Sequence, residues 1–235
     1  MMTLRNMLAT AYWLVVFVLF AAMVALLFTY TPIEQTMGPI QKVFYLHLPV
    51  AINTFLVCAV VAVASVGYLW QRHAWWDDLA AGTAKIAVLL CSVVLLTGVI
   101  WAHSAWGTWW QWTPRLTFTL VLWLLYVGYI VIRASVESRE RRALISAVYG
   151  LLAFLDVPLV YLSVRLMPED LHPVSIDLAP AMRLTLGLWF IPVTLLTIGL
   201  IVLQFKLNCR IRSVRLASQS DASQQVAAEG TEVAL

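Results

Sequence analysis

The chain has 235 residues, 62% of them hydrophobic and only 11% charged, with a formal net charge of +3. Soluble domains carry about a quarter charged residues. So little charge cannot coat a water-facing surface of this size, which excludes an ordinary soluble domain and leaves a membrane protein. The glycines are scattered and form no phosphate loop, no internal repeat is visible, and no nucleic-acid partner is expected.

Apolar runs near 20 residues match the length that crosses about 30 Å of hydrocarbon at 1.5 Å rise per residue. Six such runs occur, at roughly 8–30, 47–70, 85–103, 116–133, 143–165 and 183–206. They are continuously apolar rather than alternating, so they read as helices and not as barrel strands. In lipid each backbone must satisfy its own hydrogen bonds, which makes the same demand. The expected fold is all-α: a polytopic bundle of six transmembrane helices. The first run follows Arg5 as a signal peptide would. Its apolar core is too long, however, and it ends at Tyr30, Thr31 and Pro32 without a small-x-small site, so it reads as an uncleaved helix.

The first connecting segment and its flank read "EQTMGPIQKVFYLHLPVAINTF". Met37, Gly38 and Pro39 break the chain, and Ile40–Leu46 reads as an amphipathic lead-in. His47 then falls at the mouth of the second span. Pro49 follows it and is tolerated there, because the N–H groups of a first turn have no helical partner. Cys58 and Cys91 lie inside spans and Cys209 at the inner end of the last. With no thiol outside and no C-x-x-C, neither thiol exchange nor covalent haem attachment to this chain is expected.

Between spans three and four lies "WAHSAWGTWWQWTPRLT", residues 101–117, with Trp101, Trp106, Trp109, Trp110 and Trp112. If 106–112 makes helical turns, Trp106, Trp109 and Trp110 stand at i, i+3 and i+4 and form one aromatic shelf. Interfacial tryptophan can be a membrane belt. A belt is spread over all helix ends, whereas this cluster occupies one segment, and Trp70, Trp75 and Trp76 already serve the opposite end. Stacked indoles suit a flat apolar ligand. Arg115 could take a carboxylate through its planar fork. On these residues alone the ligand is haem, a quinone or a lipid.

Asp156 stands inside span five, where a carboxylate is costly unless it faces a polar contact or is protonated and bonded to a neighbour. Pro158 and Pro192 are expected to kink spans five and six. The third outer segment, "RLMPEDLHPVSIDLAPAMR", holds His172 among Pro168, Pro173 and Pro180. Of the four histidines, His47, His103 and His172 fall at the same side of the membrane, and His73 at the other. Imidazoles from two loops could therefore converge on one iron. The polar stretch 213–235 reads as a disordered tail, leaving 1–212 as the transmembrane domain.

Of the fifteen Lys and Arg residues, eleven fall in the set of segments that includes both termini and four in the tryptophan-side set. The positive-inside rule puts both termini in the cytoplasm and the tryptophan segment outside, in the periplasm of a Gram-negative cell.

"WGTWWQWTPRLT" resembles the tryptophan-rich signature of the haem-handling proteins of cytochrome c biogenesis. "YLHLPVA" and "DVPLVYLSVRLMPEDLHP" narrow the resemblance to the haem exporter protein C (CcmC) family, over about residues 33–200. That resemblance implies an inner-membrane protein that presents non-covalent haem b at the periplasmic face and delivers it to a periplasmic haem chaperone. It implies association with ABC-type transporter subunits, a small single-span helper protein and membrane lipid. It implies His47 and His172 as axial ligands. The implied haem platform is Trp106, Gly107, Thr108, Trp109, Trp110, Trp112, Arg115 and Leu116. His103 is the rival ligand, and Arg165 and Asp156 are secondary candidates. The chain departs from the family in having Thr113 where an aspartate is usual, and in lacking a tryptophan pair after span five. Two other readings stand beside this one: a cytochrome c synthase-type haem lyase of the same superfamily, whose members are larger, and a haem-free quinone- or lipid-binding scaffold. In the exporter reading the covalent step belongs to partner proteins rather than to a stand-alone enzyme.

Overall fold

The computed structural model describes residues 4–166 and 177–232. Seven helices follow in order: α1 Leu4–Thr29, α2 Phe44–Gln71, α3 Ala74–Trp106, α4 Pro114–Ser135, α5 Arg139–Phe154, α6 Asp156–Leu166 and α7 Pro180–Glu232. A 3₁₀ turn at Pro39–Val43 leads into α2. Six stretches are long and apolar enough to cross a membrane, with Arg139–Ser163 counted as one across α5 and α6. The described residues contain no strand beyond one isolated bridge between Glu34 and Gly38.

Helix α2 is the hub. It packs on α3, α5 and α7, and its buried residues recur at three- and four-residue intervals, as at Val50, Asn53, Thr54, Val57, Cys58 and Val61. Tyr126 of α4 closes the centre, its hydroxyl donating to Cys58 O at 3.4 Å. Helix α1 stands at the edge: among its residues only Val16, Met23 and Leu27 are buried, and it meets α7. The approach is close because α7 offers Gly199, where an added Cβ would fall 2.7 Å from Tyr12 Cε1 and 2.9 Å from Trp13 Cη2.

At one end of the bundle, Arg133 of α4 grips Asp77 of α3 with two guanidinium nitrogens, and Arg212 Nε of α7 lies 3.1 Å from Asp78 Oδ2. At the other end, the hydroxyls of Thr31 and Thr185 meet at 2.9 Å. There the carboxylate of Glu34 accepts from the backbone N–H groups of Met37 and Thr36, which holds its pKa below the usual carboxylate range.

At Pro158 the structure goes further than the kink expected from the sequence. Span five is not one helix: α5 stops at Phe154 and α6 begins at Asp156. Pro158 explains the interruption, since it has no N–H for the carbonyl of Phe154 and its ring would clash there. Pro192 lies inside α7, which continues past it to Glu232.

Candidate functional site

The loop-rich end with Pro39–Val43 and the tryptophan segment holds a cavity of about 360 Å³ between α2, α3, α4 and α6. That is within the range of small-molecule sites, about 300–1,000 Å³. Its walls are mostly aliphatic and aromatic, and it reaches inward to Thr54, Cys91 and Leu122. The sequence candidates His47 and Arg115 are among its few polar lining residues, with Thr54, Thr119 and Tyr161.

His47 lies in the opening turns of α2, and its Nδ1 is 2.8 Å from Thr97 Oγ1 on α3. The Thr97 hydroxyl has one proton, and it donates that proton to Val93 O at 2.7 Å. A hydroxyl that donates there accepts from His47 Nδ1, and the matching tautomer carries its proton on Nδ1 and its lone pair on Nε2. This is the tautomer a metal ligand needs, with the second nitrogen held by a partner of its own. Gly98 makes room for the ring: a Cβ there would stand 3.3 Å from His47 Cε1.

Helix α3 ends at Trp106 because Gly107 adopts the left-handed conformation, φ 72°, and donates its N–H to His103 O at 3.0 Å. Only glycine takes this cap without a Cβ penalty. Residues 107–113 are consequently not helical. The single shelf of Trp106, Trp109 and Trp110 expected from helical spacing does not form, since it requires helical turns through 112. The tryptophans divide instead. Trp101 and Trp106 meet edge to face at 5.5 Å, and both line the cavity with Trp110. Trp110 Nε1 is buried with no hydrogen-bond partner among the described residues. Trp112, 74% exposed, stands edge-on against Trp110 at 5.5 Å. Trp109, 59% exposed, stacks on His103 at 3.9 Å. Gly107, Thr108, Trp109, Trp112 and His103 thus lie outside the cavity lining, while Trp106, Trp110, Arg115 and Leu116 are on it.

Thr113 is the N-cap of α4, with Pro114 at the first helical position, and its hydroxyl faces Leu116 N at 3.5 Å. Aspartate and threonine are both good N-cap residues, so the departure at this position keeps a local structural role. Arg115 follows in the first turn of α4, where the helix dipole disfavours a cation. Its place on the cavity suits an anionic ligand group instead.

The remaining candidates are more remote. Asp156 is buried at the start of α6, and its Oδ2 has no hydrogen-bond partner among the described residues; it does not line the cavity. Arg165 is exposed, 4.8 Å over the ring of Tyr161, and Tyr161 lines the cavity. His172 lies outside the described residues. Among the described residues no three His, Cys, Asp or Glu side chains gather around a point.

Sequence reasoning passed over Thr97, Gly98 and Trp101. Trp101 was visible in the motif but one turn outside its dense part. Thr97 is one hydroxyl in an apolar span, and nothing in its neighbours marks it as the partner of a residue 50 positions earlier.

A family model described as "Heme exporter protein C" matches residues 1–227. Among curated relatives, a protein of that name from Paracoccus denitrificans (strain Pd 1222) is 30% identical over 194 residues, 80% of each chain. One from Rhodobacter capsulatus is 35% identical over 116 residues, 49% of this chain and 48% of that one. One from Escherichia coli (strain K12) is 33% identical over 162 residues, 66% of this chain and 65% of that one.

Proposed function

The chain belongs to the haem exporter protein C family, and from that premise we propose that it binds haem as cargo at the tryptophan-side mouth of the bundle and hands it on during cytochrome c maturation. It is a multi-pass membrane protein with six helices able to span the bilayer. The observation that carries the reading is the His47–Thr97 pair beside an indole-walled, apolar cavity. His47 Nε2 is the axial ligand to iron. Trp101, Trp106 and Trp110 flank the porphyrin, and Arg115 pairs with a propionate, with Trp110 Nε1–H as a second donor. Haem supplies the iron that takes imidazole nitrogen at its axial positions.

His172 is the second axial ligand in this reading. Leu178 lines the cavity, and it is six residues along the chain from His172. Six residues span at most about 20 Å, so the imidazole is within reach. Two histidines fill both axial positions and suit holding rather than oxygen chemistry. Positive charge at the opposite end supports the site facing the periplasm, with both termini cytoplasmic. The recipient is a periplasmic haem chaperone, and the chain works with ABC-type subunits and a small single-span helper. The haem is the b form, held without covalent bonds to a chain whose three cysteines are free.

The test is the absorption spectrum of the protein purified after haem-replete expression. A Soret band is expected, lost in His47→Ala plus His172→Ala. A wild-type protein with no Soret band rejects the reading in favour of a haem-free scaffold.

A further inference from the structure

A second cavity, of about 560 Å³, opens at the bundle end opposite the tryptophan segment, between α3, α4, α5 and α7. Lys85, Arg133, Arg139, Arg142, Arg212 and Arg215 line it. Its carboxylates are Asp77, Asp78 and Glu137. Two of the cations are matched, Arg133 by Asp77 and Arg212 by Asp78. Six cations thus face three carboxylates: Asp78 also attracts Arg139 and Asp77 attracts Arg142, while Glu137, Lys85 and Arg215 are exposed, so positive charge stays in excess.

This arrangement works against the stability of the bare protein. Arg139 and Arg142 are half-buried, where less water screens their repulsion than at the exposed Lys85 and Arg215. Arg139 and Arg142 also stand in the first turn of α5, where the helix dipole disfavours cations, and Ser138 makes no side-chain cap there. Arg142 reaches a backbone carbonyl, Val136 O, at 3.4 Å. Arg139 Nη2 is buried with no hydrogen-bond partner among the described residues. Arg215 comes to the cavity only because α7 stays helical beyond residue 212.

An oxyanion relieves all of these costs together. Phosphate offers several acceptor oxygens to guanidinium forks and lysine. The cavity also lies at the right depth: Asp77 is in the first turn of α3 and Arg133 in the last turn of α4, so it sits where spans meet the headgroup layer. Basic recesses between transmembrane helices take anionic headgroups at that level.

We propose that the recess among Lys85, Arg139, Arg142 and Arg215 is a phosphate-binding site, filled by the phosphate of an anionic lipid headgroup or by free phosphate. It is independent of the haem reading. The full chain in detergent is melted, followed by tryptophan fluorescence, in sodium phosphate and in sodium chloride at matched ionic strength. Native mass spectrometry then follows retention of added phosphatidylglycerol against phosphatidylcholine. A saturable stabilisation by phosphate, or selective retention of phosphatidylglycerol, is expected, and the arm that responds identifies the source. Arg139→Gln and, separately, the milder Arg215→Gln at an exposed position weaken that response by about tenfold or more. Lys206→Gln, a cation outside the cavity, leaves it intact. Equal effects of phosphate and chloride with no preferred lipid overturn the proposal, as does a response that Arg139→Gln, Arg215→Gln and Lys206→Gln share equally. A cavity that answers only to an acidic partner segment overturns it as well.

Discussion

His47 Nδ1 and Thr97 Oγ1 stand 2.8 Å apart across the α2–α3 interface, and the threonine hydroxyl is already committed to Val93 O. A hydroxyl so placed favours the tautomer with the proton on Nδ1 and holds the ring from that side. Outer partners of metal-bound histidines are worth about 10–100-fold in affinity. Thr97→Val, nearly isosteric, is expected to weaken haem binding by about that factor and to alter the Soret maximum, while Thr97→Ser preserves both. Haem titration of the purified variants measures the affinity, and a Thr97→Val protein with unchanged affinity and spectrum removes the positioning role.

The division of the tryptophans makes a second test. Trp106 and Trp110 line the cavity, whereas Trp109 and Trp112 are largely exposed. Trp106→Ala and Trp110→Ala are expected to lower haem occupancy well below that of Trp109→Ala or Trp112→Ala, with Trp112→Ala milder than Trp110→Ala. Haem-to-protein ratios after identical expression show the ordering. The reverse order would mean that the outward indoles, not the lining ones, carry the cargo.

Thr113 can be examined apart from haem. As the α4 N-cap it should tolerate aspartate and not alanine. Loss of a cap costs roughly 0.5–2 kcal/mol, so Thr113→Ala lowers the melting temperature while Thr113→Asp holds or raises it. If Asp and Ala destabilise alike, capping is not what the position does.

The Arg133–Asp77 pair is a bidentate contact with both side chains mostly buried. Removing one member of such a pair strands the other, at a cost of about 3–5 kcal/mol. Arg133→Met is therefore expected to lower stability sharply, and the double variant Arg133→Met, Asp77→Leu to recover much of the loss. Thermal melting of the two variants in one detergent decides it; a double variant no better than the single leaves the pair without this coupling.

The number and type of the helices could be read from residue chemistry because hydrocarbon imposes a one-dimensional rule: about 20 apolar residues, with internal hydrogen bonds, cross it. The sequence likewise placed His47, Trp106, Trp110 and Arg115 in one candidate site, because each falls at the same end of a span, and the family resemblance added Leu116. Local backbone conformation escaped it. Gly107 ends α3 and scatters indoles whose spacing suggested one face, and at Pro158 an expected kink proves to be a break between two helices. What only the tertiary structure decided are the meetings of residues far apart along the chain: Thr97 with His47, Arg133 with Asp77, and Arg215 with a basic recess built by three other helices. Apolar length is a property of one segment, whereas a tautomer or an uncompensated charge depends on which side chain stands across the interface, and that is set when the helices pack.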